Sequence, residues 1–230
     1  MKQLYDQIIA NSYDTWYGTA EGCIVGRIVR EAVYSYLEPR TGMKLLDIGC
    51  GTGQYSLDLA GMGLEIIGAD VSLAMLEKAR VKASEAGLTV HFVEADAQCL
   101  PFTDETFDLV LSVDAMEWVP DFPAALQEAF RVLKTGGRLV VGFIGRDNAW
   151  WRFHAEEARR NPNNIFNYAR FYTLDELLAA MPGHGMRGKA VLFVPPDFDF
   201  SQEEKAMAVE AAAVRAGRTD GGFICAVSIK

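Results

Sequence analysis

A short glycine-rich loop directly after an apolar run constrains the fold of this chain more than any other feature. The loop is Gly49-Cys50-Gly51-Thr52-Gly53, and the run before it, Lys44–Ile48, carries Asp47 next to its end. Glycine lacks Cβ and tolerates positive φ, so a loop built from it can turn sharply and pass close to a ligand. At the carboxyl end of a first strand, such a loop lies where open α/β sheets bind ligands. We therefore expect an α/β sheet with a ligand site at this edge.

Four further apolar runs alternate with helical patterns. Runs of five to seven residues rich in Val, Ile, Leu and Phe are typical of strands buried on both faces. Between them, Ser72 can cap a helix that continues to about Ala86, and Asp121–Lys134 has helical spacing. This alternation predicts βαβ units and a parallel sheet. The four runs are Glu65–Ala69, Thr89–Val93, Phe107–Val113 and Arg138–Phe143.

The C-terminal part is expected to complete the sheet. A capping box at Thr173 starts a helix, and Gln202–Ala216 is an alanine-rich helix between two final strands, Val191–Val194 and Phe223–Ile229. A chain of 230 residues then forms one domain with elaborations. Its expected parts are N-terminal cover helices (1–38), a ligand-binding core (40–145), a lid-like insert (146–172) and the rest of the sheet (173–230).

Composition and charge limit the partners. Lys and Arg number 22 against 31 Asp and Glu, a net charge of −9, which disfavours binding to nucleic acid. No apolar run approaches the roughly 18 residues of a membrane span, and the N-terminus has no signal-peptide pattern. The four cysteines lack metal-binding spacing. We expect a cytoplasmic protein with reduced thiols, no metal site and no membrane partner, whose oligomeric state the sequence leaves open.

A second acidic residue limits which class of ligand this edge can bind. Asp70 ends the second run, 21 residues after Gly49, where a carboxylate can accept hydrogen bonds from both ribose hydroxyls of a nucleoside. Dinucleotide folds use Gly-x-Gly-x-x-Gly and bind a pyrophosphate, whereas here the third glycine comes one residue earlier and Asp47 would repel a pyrophosphate. A carboxylate there suits a positive amino group. The pattern favours S-adenosylmethionine (SAM), which carries an ammonium, a sulfonium and no phosphate.

The stretch Leu45–Gly53 resembles motif I of the class I SAM-dependent methyltransferases. Three later segments are also similar to that family: Glu94–Ala97 to its adenine-binding turn, Asp104–Val110 to its approach to strand four, and Glu128–Gly137 to its helix and turn before strand five. The likeness is strongest over residues 40–145, and its core is closest to quinone methylases and malonyl-carrier-protein O-methylases. It implies a doubly wound, mostly parallel seven-stranded sheet with the last strand antiparallel, N-terminal helices and a helical insert after strand five.

The resemblance also implies which residues contact each part of the cofactor. They are, for the methionine part, Asp47, Gly49, Cys50, Gly51 and Gly53; for the ribose, Asp70; for the adenine, Val71, Asp96 and Ala97; and for the side of methyl transfer, Ser112 and Val113.

No catalytic residue is evident, because much of the rate of methyl transfer can come from aligning acceptor, methyl and sulfur. Asp114, Glu117 and His154 are candidates for a base, with a cap, surface or packing role as the alternative for each. Aromatic and basic side chains near the site could cover it or contact the acceptor, against ordinary packing or solvent exposure. These residues are Tyr13, Trp16, Tyr17, Trp118, Trp150 and Arg170.

The sequence therefore predicts a SAM-dependent methyltransferase that acts on a small molecule at O, N, S or C and releases S-adenosylhomocysteine. Two other functions stay open. One is a SAM-binding module without transfer activity, acting as a sensor or partner subunit. The other is a nucleotide-dependent oxidoreductase or epimerase, which the early third glycine and the lack of a Tyr-x-x-x-Lys pair disfavour.

Overall fold

The protein is built around one seven-stranded sheet in a computed structural model, which is described over residues 14–230. The strands are β1 (Lys44–Ile48), β2 (Glu65–Asp70), β3 (Val90–Glu94), β4 (Phe107–Val113), β5 (Leu133–Ile144), β6 (His184–Val191) and β7 (Phe223–Ile229). The helices are α1 (Ala20–Leu37), α2 (Gln54–Gly61), α3 (Leu73–Glu85), α4 (Phe122–Val132), α5 (Ala149–Arg160), α6 (Leu174–Ala180) and α7 (Glu203–Arg215). Two short 3-10 turns lie at Met116–Trp118 and Ile165–Asn167.

The strand order is β3-β2-β1-β4-β5-β7-β6. The first five strands in this order run parallel, while β7 is antiparallel to both of its neighbours, β5 and β6. The order reverses between β1 and β4, and ligands bind at such a switch point outside the carboxyl ends of the strands. The seven-stranded sheet with an antiparallel last strand confirms the expected fold.

Alternate residues of the strands enter two apolar layers, as expected for a sheet covered on both faces. Leu45 and Leu109 pack with α1 in one layer, and Leu46 and Val110 pack with α4 in the other. All four side chains are fully or almost fully buried. No helix within residues 14–230 is both long enough and apolar enough to cross a lipid bilayer.

Local sequence signals account for several helix ends. The Ser72 hydroxyl accepts a hydrogen bond from the Met75 N–H at the start of α3, as a capping serine does. The Thr173 and Glu176 side chains form the expected capping box of α6. Among the strands, β1, β4 and β7 have the predicted bounds, and β2 and β3 differ from them by one residue.

The prediction of a strand over Val191–Val194 was wrong. The strand is β6, which ends at Val191; Leu192 then has a left-handed φ of +66° that an extended strand does not allow. The N–H groups of Leu192 and Phe193 donate instead to the buried Glu210 carboxylate, at 2.9 and 2.8 Å. The apolar residues after Val191 are therefore a core-packed loop.

The fifth strand is longer than Arg138–Phe143, because its first residue, Leu133, already pairs with Phe107 of β4. Helix α4 consequently ends at Val132, two residues before the predicted Lys134.

Candidate functional site

The glycine loop lies against the carboxyl end of β2. The N–H groups of Gly49 and Cys50 both donate to the carbonyl of Ala69, at 2.7 and 3.0 Å. Gly49 and Gly51 have φ values of +72° and +53°, in the left-handed region that favours glycine. A Cβ on Gly49 would lie 2.2 Å from the Ala115 Cβ, whereas a Cβ on Gly51 would meet nothing within 4 Å. The loop is thus packed on one side and open to the site on the other.

Asp70 holds this loop in place. Its Oδ2 accepts a hydrogen bond from the Gly51 N–H at 2.9 Å, and its Oδ1 accepts one from the Ser72 N–H at 2.8 Å. Burial raises the pKa of Asp70, and these hydrogen bonds oppose the shift. Each carboxylate oxygen has a further lone pair, so Asp70 can still accept from a ligand at the cavity it lines.

Asp47 is an almost fully enclosed carboxyl group next to the glycine loop. It is 2% exposed, and the Ser56 hydroxyl donates to its Oδ2 at 2.6 Å. Burial raises the pKa of Asp47 to about 7. Asp47 lines a small recess of about 20 Å³ together with Cys50 and Val113.

A cavity of about 460 Å³ occupies the carboxyl edge of the sheet. It shares Tyr17, Gly49 and Asp114 with the small recess. The predicted cofactor residues that line the larger cavity are Gly49, Gly51, Asp70, Val71, Asp96, Ala97 and Ser112.

Three predicted cofactor residues have structural partners of their own. The Asp96 carboxylate accepts hydrogen bonds from the Gln98 backbone and side chain, both at 2.9 Å. The buried Ser112 hydroxyl donates to the Ile48 carbonyl at 3.0 Å. Gly53 lines neither space; it caps α2 with a φ of +84°.

The three candidates for a base come from two parts of the chain, the segment after β4 and helix α5. Asp114 follows β4 with a φ of +49°, Glu117 lies in the next 3-10 turn, and His154 lies on α5; all three line the cavity. Each has one buried side-chain atom without a hydrogen-bond partner: Asp114 Oδ1, Glu117 Oε2 and His154 Nδ1. Asp114 and Glu117 interact electrostatically, whereas the His154 Nδ1 lies 3.7 Å from the Glu157 carboxylate.

Burial shifts the pKa of each of these groups towards its neutral form. It raises the pKa of Asp114 and raises that of Glu117 well above its usual range, and the charge of Asp114 adds to the effect on Glu117. It lowers the pKa of His154 to about 4, so this imidazole is neutral at pH 7.

Aromatic side chains form part of the wall of the larger cavity. Trp118 lies 5.5 Å from Phe166 between ring centroids, and Phe166 stacks on the His154 ring at 4.1 Å. Trp16 and Tyr17, in edge-to-face contact, line the same cavity. Phe166 was missed in the sequence, where the only signal was the apolar pair Ile165-Phe166 within an asparagine-rich stretch.

The segment that carries Trp16 and Tyr17 is attached to the glycine loop. The Asp14 Oδ1 accepts hydrogen bonds from the Thr52 hydroxyl at 2.6 Å and from the Lys82 Nζ at 2.9 Å. Tyr13, the other predicted cover residue here, lies outside the described residues.

Two of the predicted lid residues lie away from the cavity. Trp150 is 5% exposed, and its indole N–H donates to the Val194 carbonyl at 2.8 Å within the core. The Arg170 N–H donates to the Glu117 carbonyl at 2.8 Å, and its guanidinium binds the Pro120 carbonyl. Arg170 therefore holds the turn that carries Glu117. Within residues 14–230, no three His, Cys, Asp or Glu side chains cluster in a way that could hold a metal ion.

Comparison with known proteins finds methyltransferases. A methyltransferase-domain family matches residues 46–141. The ubiquinone biosynthesis O-methyltransferase of Ruegeria sp. strain TM1040 is 31% identical over 178 residues, which cover 74% of this chain and 72% of that protein. An uncharacterised protein of Mycobacterium tuberculosis strain H37Rv is 38% identical over 111 residues, 46% of this chain. The match spans only 40% of the length of that mycobacterial relative.

Solved structures share the whole fold. A possible histamine N-methyltransferase from Thermotoga maritima has a TM-score of 0.71 at 25% identity, with all of both chains covered. A putative methyltransferase of Haloferax volcanii, solved in complex with an activator protein, has a TM-score of 0.68 and covers 100% of this chain and 98% of its own. At 19% identity the latter shows the fold alone.

Proposed function

Because the chain belongs to the class I SAM-dependent methyltransferases, we propose that it transfers the methyl group of SAM to a small-molecule acceptor bound in the same cavity. The observation that carries this proposal is the composition of that cavity. It combines the glycine loop and Asp70 with two buried acidic groups, Asp114 and Glu117, and we call the part that this pair lines the acceptor end.

The residues around the glycine loop fit SAM. Gly51 opens towards the cavity where any side chain would intrude, and Asp70 keeps acceptor capacity for the ribose hydroxyls. Asp47 lies in the adjoining recess, where a bound ammonium would favour its charged form over the neutral form that burial favours. Val71, Asp96 and Ala97 are assigned to the adenine, and Ser112 and Val113 to the side of methyl transfer.

The size and walls of the cavity support a small acceptor. Its volume lies within the range of about 300–1,000 Å³ usual for small-molecule sites. Trp118 and Phe166 enclose the acceptor end, and Trp16 and Tyr17 complete the walls. The relatives named for ubiquinone biosynthesis agree with a small acceptor.

Catalysis rests mainly on alignment and on the removal of one proton. Bound SAM supplies a methyl group on a sulfonium, which an acceptor atom takes by in-line displacement. The glycine loop and Asp70 fix the position of the cofactor, while the aromatic walls exclude water. Asp114 lines both the cavity and the recess, so we assign it as the group that takes the proton from the acceptor.

The first test is cofactor binding by calorimetry. We expect micromolar binding of SAM and none of NAD, with at least tenfold weaker SAM binding in Asp70→Asn. Glu65→Gln is the matched control, since Glu65 is exposed at the opposite end of the same strand. Folded protein that binds NAD, or that fails to bind SAM, would contradict the proposal.

Transfer itself is tested by release of S-adenosylhomocysteine when acceptors are added. Protein that binds SAM but never releases this product, across amines, phenols, thiols and carboxylic acids, would instead be a SAM-binding module without transfer activity.

A further inference from the structure

The acceptor end of the cavity presents an unusual set of polar groups. Asp114 Oδ1 and Glu117 Oε2 are buried, lack hydrogen-bond partners and belong to residues that line the same cavity. Glu117 is only 2% exposed, and its remaining bonding includes the Trp118 side chain. A buried polar atom without a partner is unfavourable, because it has lost its hydrogen bonds to water. Two such carboxyl atoms in one place are suited to a ligand that brings hydrogen-bond donors.

The charges around this end disfavour an anionic acceptor. No Lys or Arg is among the described residues that line the cavity. Three arginines of the insert are engaged elsewhere: Arg146 pairs with Glu176, Arg160 pairs with Glu156, and Arg170 binds the Pro120 carbonyl. A carboxylate or phosphate on the acceptor would face Asp114 and Glu117 with no Lys or Arg among the described lining residues to bind it. The structure therefore favours an acceptor that is positive or neutral.

The aromatic walls favour a positively charged acceptor over a neutral one. Trp118, Phe166, Trp16 and Tyr17 line the cavity in which the two carboxyl groups lie. Aromatic faces attract cations, and the attraction grows when water is excluded. Carboxyl groups enclosed by aromatic rings form a site for an ammonium group.

We propose that the acceptor is an amine, held as its ammonium form by Asp114 and Glu117 and methylated on that nitrogen; this rests on the methyltransferase function proposed above. The ammonium gives one proton to the Asp114 carboxylate and keeps an N–H bonded to Glu117. The nitrogen lone pair then forms the new N–C bond while the C–S bond breaks. The electron pair of the broken C–S bond stays on sulfur, so the sulfonium becomes the neutral thioether of S-adenosylhomocysteine.

The proposal predicts which of several matched probes binds. Calorimetry on protein saturated with S-adenosylhomocysteine would compare 2-phenylethylamine, 2-phenylethanol, 3-phenylpropanoate and catechol. The first three share a phenyl ring and a two-carbon chain and differ in the polar group. We expect the amine to bind at least tenfold more tightly than any of the others.

Amine binding should also release a proton at pH 7. A bound cation favours the charged forms of Asp114 and Glu117, whose burial otherwise favours the protonated forms. The release is measured by repeating the titration in buffers with different ionisation enthalpies. A site that held the amine by its ring alone would release none.

Isosteric variants show whether the carboxyl groups are responsible. Glu117→Gln and Asp114→Asn should each weaken amine binding at least tenfold and diminish the proton release. Glu117→Gln should bind S-adenosylhomocysteine within twofold of the parent, and a cooperative thermal transition shows that each variant is folded. Glu65→Gln, which changes an exposed acid on β2, should leave both affinities unchanged.

The outcomes separate this proposal from the broader one. Absence of amine binding, tighter binding of catechol or 3-phenylpropanoate, or unchanged amine binding in Glu117→Gln would overturn the amine assignment. Methylation of catechol alone would overturn it while leaving the methyltransferase function intact. Failure to bind SAM at all would remove both.

Discussion

At the scale of single residues, Asp47 shows how a binding site can oppose stability. Its carboxyl group is 2% exposed and has one side-chain donor, Ser56. Burial raises its pKa from 3.8 to about 7, so ionisation at neutral pH costs free energy in the folded protein without ligand. The unfolded chain ionises near pH 4 and does not bear this cost.

The pH dependence of stability follows from this shift. Between about pH 4 and pH 7 the folded state binds more protons at Asp47 than the unfolded state, so its contribution to stability falls as pH rises. We predict that Asp47→Asn raises the melting temperature by about 4 °C at pH 8 and by less at pH 5. SAM affinity should fall at least tenfold, because the charge that faces the ammonium is lost.

Thermal scans of SAM-free protein at both pH values check this prediction, with exposed Glu65→Gln as the control. An Asp47→Asn variant that is equally or more destabilised at pH 8 than at pH 5 would contradict it.

The role of some single residues could be predicted from the sequence, and that of others could not. Gly49 and Asp70 could be predicted because their chemistry and spacing relate to adjacent strands of a parallel sheet. Phe166 could not, because it reaches the site from a 3-10 turn whose packing is set by distant contacts. Trp150 looked like a lid residue, but its indole N–H binds the Val194 carbonyl in the core.

At the scale of elements, substitutions in the glycine loop can distinguish two effects of an added side chain, contact with the ligand and strain in the backbone. Gly51 and Gly87 have φ values of +53° and +65°, and a Cβ on either would meet nothing within 4 Å. Only Gly51 lines the cavity, since Gly87 follows α3 on the surface. The two positions therefore form a matched pair.

We predict that Gly51→Ala and Gly87→Ala each lower the free energy of unfolding by about 1–2 kcal/mol, the cost of a left-handed backbone at a residue with a side chain. Only Gly51→Ala should also weaken SAM binding, by tenfold or more, because its Cβ enters the cavity. Urea denaturation and calorimetry measure the two effects. Equal loss of SAM affinity in both variants would show that strain, not contact, is responsible.

The strands were predictable to different degrees for a physical reason. Strand β4, buried on both faces, needs a continuous apolar run and shows one in the sequence. Strand β6, at the edge of the sheet, is mostly exposed over His184–Arg187 and needs no such run. The apolar residues after Val191 are buried without being a strand, so hydrophobicity alone placed the strand too late.

At the scale of the whole molecule, ligand binding and folding are linked. A ligand that binds only the folded state stabilises it by about 2.7 kcal/mol at a hundred times its dissociation constant. For a chain of this size we predict that saturating SAM raises the melting temperature by about 5–10 °C. Asp70→Asn at the same SAM concentration should show a smaller rise, and NAD should give none. A parent protein whose melting temperature SAM leaves unchanged would contradict this prediction.

The βαβ pattern of residues 44–144 predicted a parallel sheet with its ligand site at the carboxyl edge, and the family resemblance supplied the doubly wound seven-stranded arrangement. The acceptor end could not be predicted from the sequence. It is assembled from the segment after β4, the insert and the N-terminal cover, whose mutual positions depend on packing between parts far apart in sequence.

The place of β7 in the sheet has a consequence for the order of assembly during synthesis. A chain leaves the ribosome N-terminus first, so β1 to β5 are available for pairing before residues 223–229 are made. Strand β6 has only β7 as a neighbour in the sheet, although it precedes β7 in the chain. We therefore expect β6 to have no strand partner until β7 has been synthesised. When β7 emerges, it pairs with both β5 and β6 and joins β6 to the strands that carry the cofactor site in one step.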